Sequence, residues 1–294
     1  LILVSLVRER RQTRELMASD EVMVEVNDLT CLASLANRPH AIGPFVNVYN
    51  EATARFLAAR GATHMCRPPE LPLSAVGAIA AALPDTAIEV FAFGKVPLAI
   101  SARCYHARAH KLSKDNCRFV CEQDTDGMPV RTLDDADFLS VNGVQTLSHS
   151  CASLLRDIPA LRQAGVASLR LSPQDCDMVA VAQLFRDAVD GRLDTAEAER
   201  RLGMVYPDIP FAHGFLHAAP GHVLVPVRSR HRDRGRKRSY RLRRDGASLR
   251  GNRAQCRGGG GGAARTVARI AAQPAAIAIG RWLRFRKFPA GMTG

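Results

Sequence analysis

The sequence predicts an α/β fold of (β/α) TIM-barrel-like type, incomplete at its N-terminus, and three observations carry that expectation. Between residues 22 and 191, short apolar runs alternate with polar loops and helix-period segments, the rhythm of βα units. The units recur every twenty-five residues or about that, too close for separate domains. Strands alternating with helices imply a parallel sheet covered by helices, either closed as a barrel or open and doubly wound.

The first strand is expected at residues 22–26, followed by a helix at 29–37. A second pair covers 42–48 and 51–60, with Gly61 placed to end the helix in a left-handed conformation. A third covers 64–67 and 74–83. Residues 88–93 combine β-branched and aromatic side chains and read as a buried strand. Further strands are expected at 137–141 and 168–171, and helices with apolar spacings of three and four at 154–163 and 178–189. These make about six strands, and a full barrel has eight. The missing ones are expected before Leu1, because the chain opens on an apolar run and reads as cut from a longer one. That run is too short for a membrane span, soon reaches Arg8, and lacks a secretory cleavage site. The segment 99–133 breaks the rhythm: it is polar and carries a cysteine cluster. An insertion after a barrel strand lies on the functional face.

The formal charge of +13 would point to nucleic acid if it were spread evenly. It is not. Residues 222–294 hold 17 Arg and 2 Lys against 2 Asp, a net of +17, while 22 basic and 26 acidic residues leave 1–221 at −4. The predicted organisation is a partial barrel domain over 1–221 that carries the cysteine cluster, then a disordered Arg/Gly-rich tail over 222–294. A reading-frame slip in GC-rich DNA accounts for the tail, and RNA binding through it is the competing reading. No nucleic-acid partner is expected for the body.

Eight cysteines, unevenly spaced and without a secretion signal, indicate a reducing, cytoplasmic setting rather than a disulfide framework. Cys31, Cys66, Cys151 and Cys176 stand alone and suit small buried positions. Cys104, Cys117 and Cys121 form a C-x12-C-x3-C array. The short gap lets two sulfurs converge on one metal centre and the long loop returns the third. Arg103, Arg108, Lys111, Lys114 and Arg118 surround them and are expected to lower the thiol pKa values. Zinc is the rival cofactor, since His106 and His110 lie in the same loop; His213 and His217 are a second, weaker metal pair.

Residues 89–104 (EVFAFGKVPLAISARC) resemble the signature of the collagenase-like, U-thirty-two peptidase family, in which an acidic residue, a glycine and a small-residue turn precede a ligating cysteine. Residues 115–121 (DNCRFVC), 141–146 (VNGVQT), 170–174 (RLSPQ), 47–50 (NVYN) and 69–71 (PEL) extend the likeness over 21–217, toward the branch of that family acting in ubiquinone biosynthesis. The resemblance implies a 4Fe-4S cluster, with Cys104, Cys117 and Cys121 as three of its four ligands and the fourth upstream of Leu1. It implies a heterodimer with a paralogue, hydroxylation of a ubiquinone precursor without molecular oxygen, and prephenate as oxygen donor. Cys66 is a substitute ligand to be weighed. The catalytic candidates are Glu89, Arg103 and Glu70, with Arg103 and Arg108 placed to bind the carboxylates of an anionic donor. Other readings are an RNA hydroxylase or peptidase of the same family, and a non-catalytic iron-sulfur scaffold. No H-E-x-x-H site supports peptidase chemistry.

Overall fold

The computed structural model describes residues 7–18, 21–35, 37–101, 103–113, 116–226 and 281–284. The chain divides into one unit made of residues 1–225 and 270–294 and another of 226–269, of which only Pro226 is among the described residues. Most of the tail predicted over 222–294 therefore lies outside the described residues.

In chain order the elements are α1 (Val7–Ala18), β1 (Glu25–Val26), α2 (Leu32–Leu35), β2 (His40–Ile42), α3 (Glu51–Ala58), β3 (Ala62–Cys66), α4 (Leu73–Ala82) and β4 (Ala87–Ile100). After them come α5 (Tyr105–Ala109), β5 (Met128–Arg131), β6 (Asp137–Asn142), β7 (Gln145–Ser153), α6 (Ile158–Gln163) and β8 (Ser168–Leu171). The last are α7 (Met178–Val189), α8 (Thr195–Val205), β9 (Phe211–Ala212) and β10 (Arg281–Arg284). No described helix is long and apolar enough to cross a membrane.

Strands β1, β2, β3 and β4 are parallel neighbours, and β8 joins the other side of β4 in parallel. The result is a mixed α/β fold with a curled, half-barrel sheet. The sheet departs from the expected parallel pattern in one region. The segment read as an insertion builds its own antiparallel meander, β5 on β6 on β7, and β7 pairs with the outer half of β4. Ten strands are described rather than about six: β5, β7, β9 and β10 are additional, since they lack a clear two-residue hydrophobic period, and β4 is longer than expected, running on to Ile100. Within the predicted tail, β10 lies antiparallel to β8.

Local chemistry explains the helix starts. Asn50 accepts from the Thr53 amide at 2.9 Å to cap α3, and Asp177 and Asp194 do the same for α7 and α8. Gly61 follows α3 at φ 95, where an added Cβ would sit 2.4 Å from the Asn37 carbonyl. Ile42, Met65, Ile88, Val90, Leu169 and Leu171 of the sheet pack with Leu57, Ile79, Leu161 and Phe185 of the helices in one core. The opposite face of the sheet carries Glu25, Glu89 and Arg170, which form part of the candidate site.

Strand β4 changes partner at Gly94. Its φ of 119 is in a region that side-chain-bearing residues rarely adopt, and a Cβ there would meet Ser172 Cβ at 2.7 Å. Register shifts on either side of Pro97 then carry the strand out into the meander. Gly94→Ala is expected to destabilise the fold by about 1–3 kcal/mol, read as a lower urea midpoint with an unchanged slope; an unchanged midpoint would count against this role.

Candidate functional site

Two groups of chemistry-bearing residues emerge from this frame: a charged network on the polar face of the sheet and the thiol loop. The network follows from register. Glu89 lies opposite Cys66 on β3 and opposite Ser168 on β8, and Phe91 lies opposite Arg170. Residues two apart on a strand share a face, so Arg170 comes up beside Glu89. Its Nε donates to Glu89 Oε1 at 2.6 Å, and its Nη1 donates to Glu25 Oε1 at 3.2 Å while Nη2 meets the other Glu25 oxygen. Ser168 Oγ donates to Glu89 Oε2 at 3.3 Å, and Asn27 Nδ2 to Glu25 at 2.8 Å.

The two carboxylates differ in kind. Glu89 is 1% exposed, and burial lifts its pKa in spite of Arg170 and a hydrogen bond from Cys66. For Glu25 burial also raises the pKa, but the hydrogen bond and charge of Arg170 together with Asn27 bring it below its ordinary 4.5. Carboxyl groups pushed apart in this way divide into a proton carrier and a standing anion. Burial pushes the Cys66 thiol well above its ordinary range, so it stays neutral.

A depressed folded-state pKa makes the stability contribution of Glu25 fully present above its unfolded value and lost as pH falls through the folded one. The stability difference between the parent chain and Glu25→Gln is therefore expected to shrink as pH drops from neutrality past 4.5. Urea unfolding across that range checks it, and a difference independent of pH would contradict it.

The thiol loop leaves the end of β4. Cys104 accepts from the Ala107 amide at 3.3 Å and so caps the short α5. His106 is fully buried and fastens the loop to β6: its Nδ1 lies 3.2 Å from the Val141 carbonyl, and its Nε2 lies 2.8 Å from Asp124, a close contact without hydrogen-bond alignment. His110 stacks on it with ring centroids 5.4 Å apart. Between Cys117 and Cys121 the backbone turns through two successive left-handed residues, Arg118 at φ 51 and Phe119 at φ 53. Each costs about 1–2 kcal/mol outside glycine, so strain is concentrated between two of the three thiols.

All three thiols are partly exposed. The expectation that the basic residues lower their pKa values fails at Cys121, which is raised, first by burial and then by the nearby sulfurs of Cys104 and Cys117 and by Glu122. The reason is geometric: Arg103, Arg108, Lys111 and Arg118 turn to solvent, where their charge is screened. Lys114 lies outside the described residues. Cys104 and Cys117 are thus both close enough to Cys121 to act on its thiol. Among the described residues, two groups of potential ligand atoms gather within 4.8 Å, His106 with His110 and Asp124, and Asp157 with His213 and His217; the three thiols are spread more widely.

The other predicted candidates stand apart. Glu70 is exposed and accepts from the Tyr49 hydroxyl, whose pKa that bond pushes up to about 12. Arg103 is exposed, and its amide bonds Ser101 Oγ at 3.0 Å. Among the described residues no hydrogen bond or ion pair joins Glu70, Glu89 and Arg103. Arg170 and Glu25 were not singled out from the sequence; a charge inside the apolar run Ser-Leu-Arg-Leu was the signal for the first. Pro68, Pro69, Phe91, Val96, Leu154 and Phe215 help line a small cleft of about 30 Å³, well below the volume of a site that encloses a small ligand.

The sequence model of peptidase family U32 matches residues 10–224 of the chain. No solved structure matches the chain. The chain belongs to peptidase family U32.

Proposed function

We propose, from membership of that family, that the chain is a UbiV-like protein: the iron-sulfur subunit of an oxygen-independent hydroxylase in anaerobic ubiquinone biosynthesis, working in the cytoplasm as a heterodimer with a UbiU-like paralogue. The observation that carries the reading is the thiol loop. Cys104, Cys117 and Cys121 lie on one loop that leaves the end of β4, all partly exposed, with Cys104 and Cys117 both acting on Cys121. Thiolates suit both a 4Fe-4S cluster and zinc, and the likeness of the loop to the family signature is what favours the cluster. When bound, such a cluster supplies single electrons at a potential set by its surroundings.

The remaining roles fall to the chain's own residues in this reading. The aromatic ring of the ubiquinone precursor rests against the apolar side chains at the mouth of this small cleft. Glu89, the carboxyl held protonated more easily, gives or takes a proton, while Arg170 fixes its orientation and Glu25 keeps Arg170 in place. Arg103 and Arg108, exposed on the thiol loop, meet the carboxylates of an anionic oxygen donor such as prephenate. Complete closure into a TIM-type barrel belongs to the same proposal.

Anaerobic co-production with the UbiU-like partner, followed by quantification of hydroxylated ring product, tests this. The pair is expected to form product and the pair carrying Cys117→Ser to fall to background. Product formation indifferent to Cys117→Ser would overturn the reading.

A further inference from the structure

We propose that Asp157, His213 and His217 form a divalent transition-metal site on this chain, apart from the thiol loop and independent of the function proposed above. Asp157 stands at the start of α6, where an aspartate ordinarily accepts from the first free amides of the helix. It makes no such cap. Both of its oxygens are turned to imidazoles instead: Oδ2 lies 2.8 Å from His213 Nδ1 and Oδ1 lies 3.0 Å from His217 Nε2. The carboxylate and the His213 ring are both buried. A one-turn helix at Gly214–His217 brings the second ring back over the first, with centroids 4.5 Å apart and planes at 71°.

The ligand atoms, one from each residue, all lie within 4.8 Å of one another. The 2.8 and 3.0 Å separations belong to the two different oxygens of Asp157, so an ion with bonds of about 2.1 Å sits against both oxygens of the carboxylate, with one imidazole on each side. The outer contacts also match what a metal-bound histidine needs. His213 Nε2 faces the Val225 carbonyl at 3.0 Å, an arrangement that keeps the proton on Nε2 and turns Nδ1 to the ion. The ion takes the place of the proton between His213 and Asp157. Two neutral imidazoles and one carboxylate are the donor set of sites that hold zinc or ferrous iron with positions left open. One carboxylate leaves a divalent ion with net positive charge, so the open positions suit water or an anionic oxygen ligand. The His217 side chain is 34% exposed, which gives the ion a way in.

Cobalt(II) is the probe, because its visible absorption reports nitrogen and oxygen coordination. The full chain with Cys104, Cys117 and Cys121 replaced by serine is titrated, followed by absorption and calorimetry. One cobalt per chain is expected, with affinity lowered at least about tenfold by His217→Gln and binding abolished by Asp157→Asn. His217→Gln leaves the buried Asp157–His213 pair in place, so it decides the question even if Asp157→Asn fails to fold. Absence of cobalt uptake by the thiol-free chain, or equal affinity in His217→Gln, would overturn the proposal.

Discussion

Arg170→Met is expected to destabilise the chain by about 3–5 kcal/mol, the cost of stripping a buried ion pair of one partner. Arg170 bonds to both Glu89 and Glu25, by Nε on one side and both Nη atoms on the other. Without it, a carboxylate that is 1% exposed must either stay charged without a counter-ion or take up a proton, and both are costly at neutral pH. Lysine cannot replace it, since one ammonium lacks the fork that reaches two carboxylates at once. Adding Glu89→Gln to Arg170→Met is expected to restore part of the loss, because the buried charge goes with it. Urea unfolding at neutral pH measures all three variants. An Arg170→Met chain as stable as the parent would show that the network does not hold the sheet together.

The parts of the fold legible in the sequence were those where local signals agree. Strand β8 and helix α7 fall at the residues expected for them, Ser168–Leu171 and Met178–Val189, because hydrophobic period and, for α7, the Asp177 cap point the same way. Helix α8 was passed over because it is a surface helix that buries little more than Ala198 and Leu202. Strand β7 was missed because its first half is polar and only part-buried. The continuation of β4 past Phe93 was hidden by Gly94 and Pro97, which read as a break and are a change of partner. In the site, spacing marked the thiols and an acidic residue in an apolar run marked Glu89. What spacing could not give was partnership. Glu89 and Arg170 stand 81 residues apart, and Asp157 meets His217 across 60; only the register of the sheet and the path of the loops bring them together.

Cys117→Ser carries the second large effect. Loss of one thiolate from the set of three on this loop is expected to cost nearly all bound iron rather than a third of it, since two remaining thiolates are too few to hold a cluster at partly exposed positions. The strained turn at Arg118 and Phe119 sharpens the effect. Left-handed residues persist where surrounding bonds impose them, and ligation of Cys117 and Cys121 on either side is such a bond. In Cys117→Ser the turn is expected to relax and the loop to become more open to protease. Cys66→Ser, by contrast, is expected to leave iron content unchanged, because that thiol is buried beside Glu89 and held neutral.

The central claim is that these three thiols hold a 4Fe-4S cluster, and the most direct measurement is iron, zinc and acid-labile sulfide per chain in protein purified without oxygen together with its partner, with the visible spectrum recorded on the same sample. The account predicts a brown protein with about four iron and four sulfide for each copy of this chain beyond what the partner carries alone, falling to the partner's own content in Cys117→Ser. A colourless chain with one zinc and no sulfide would contradict it.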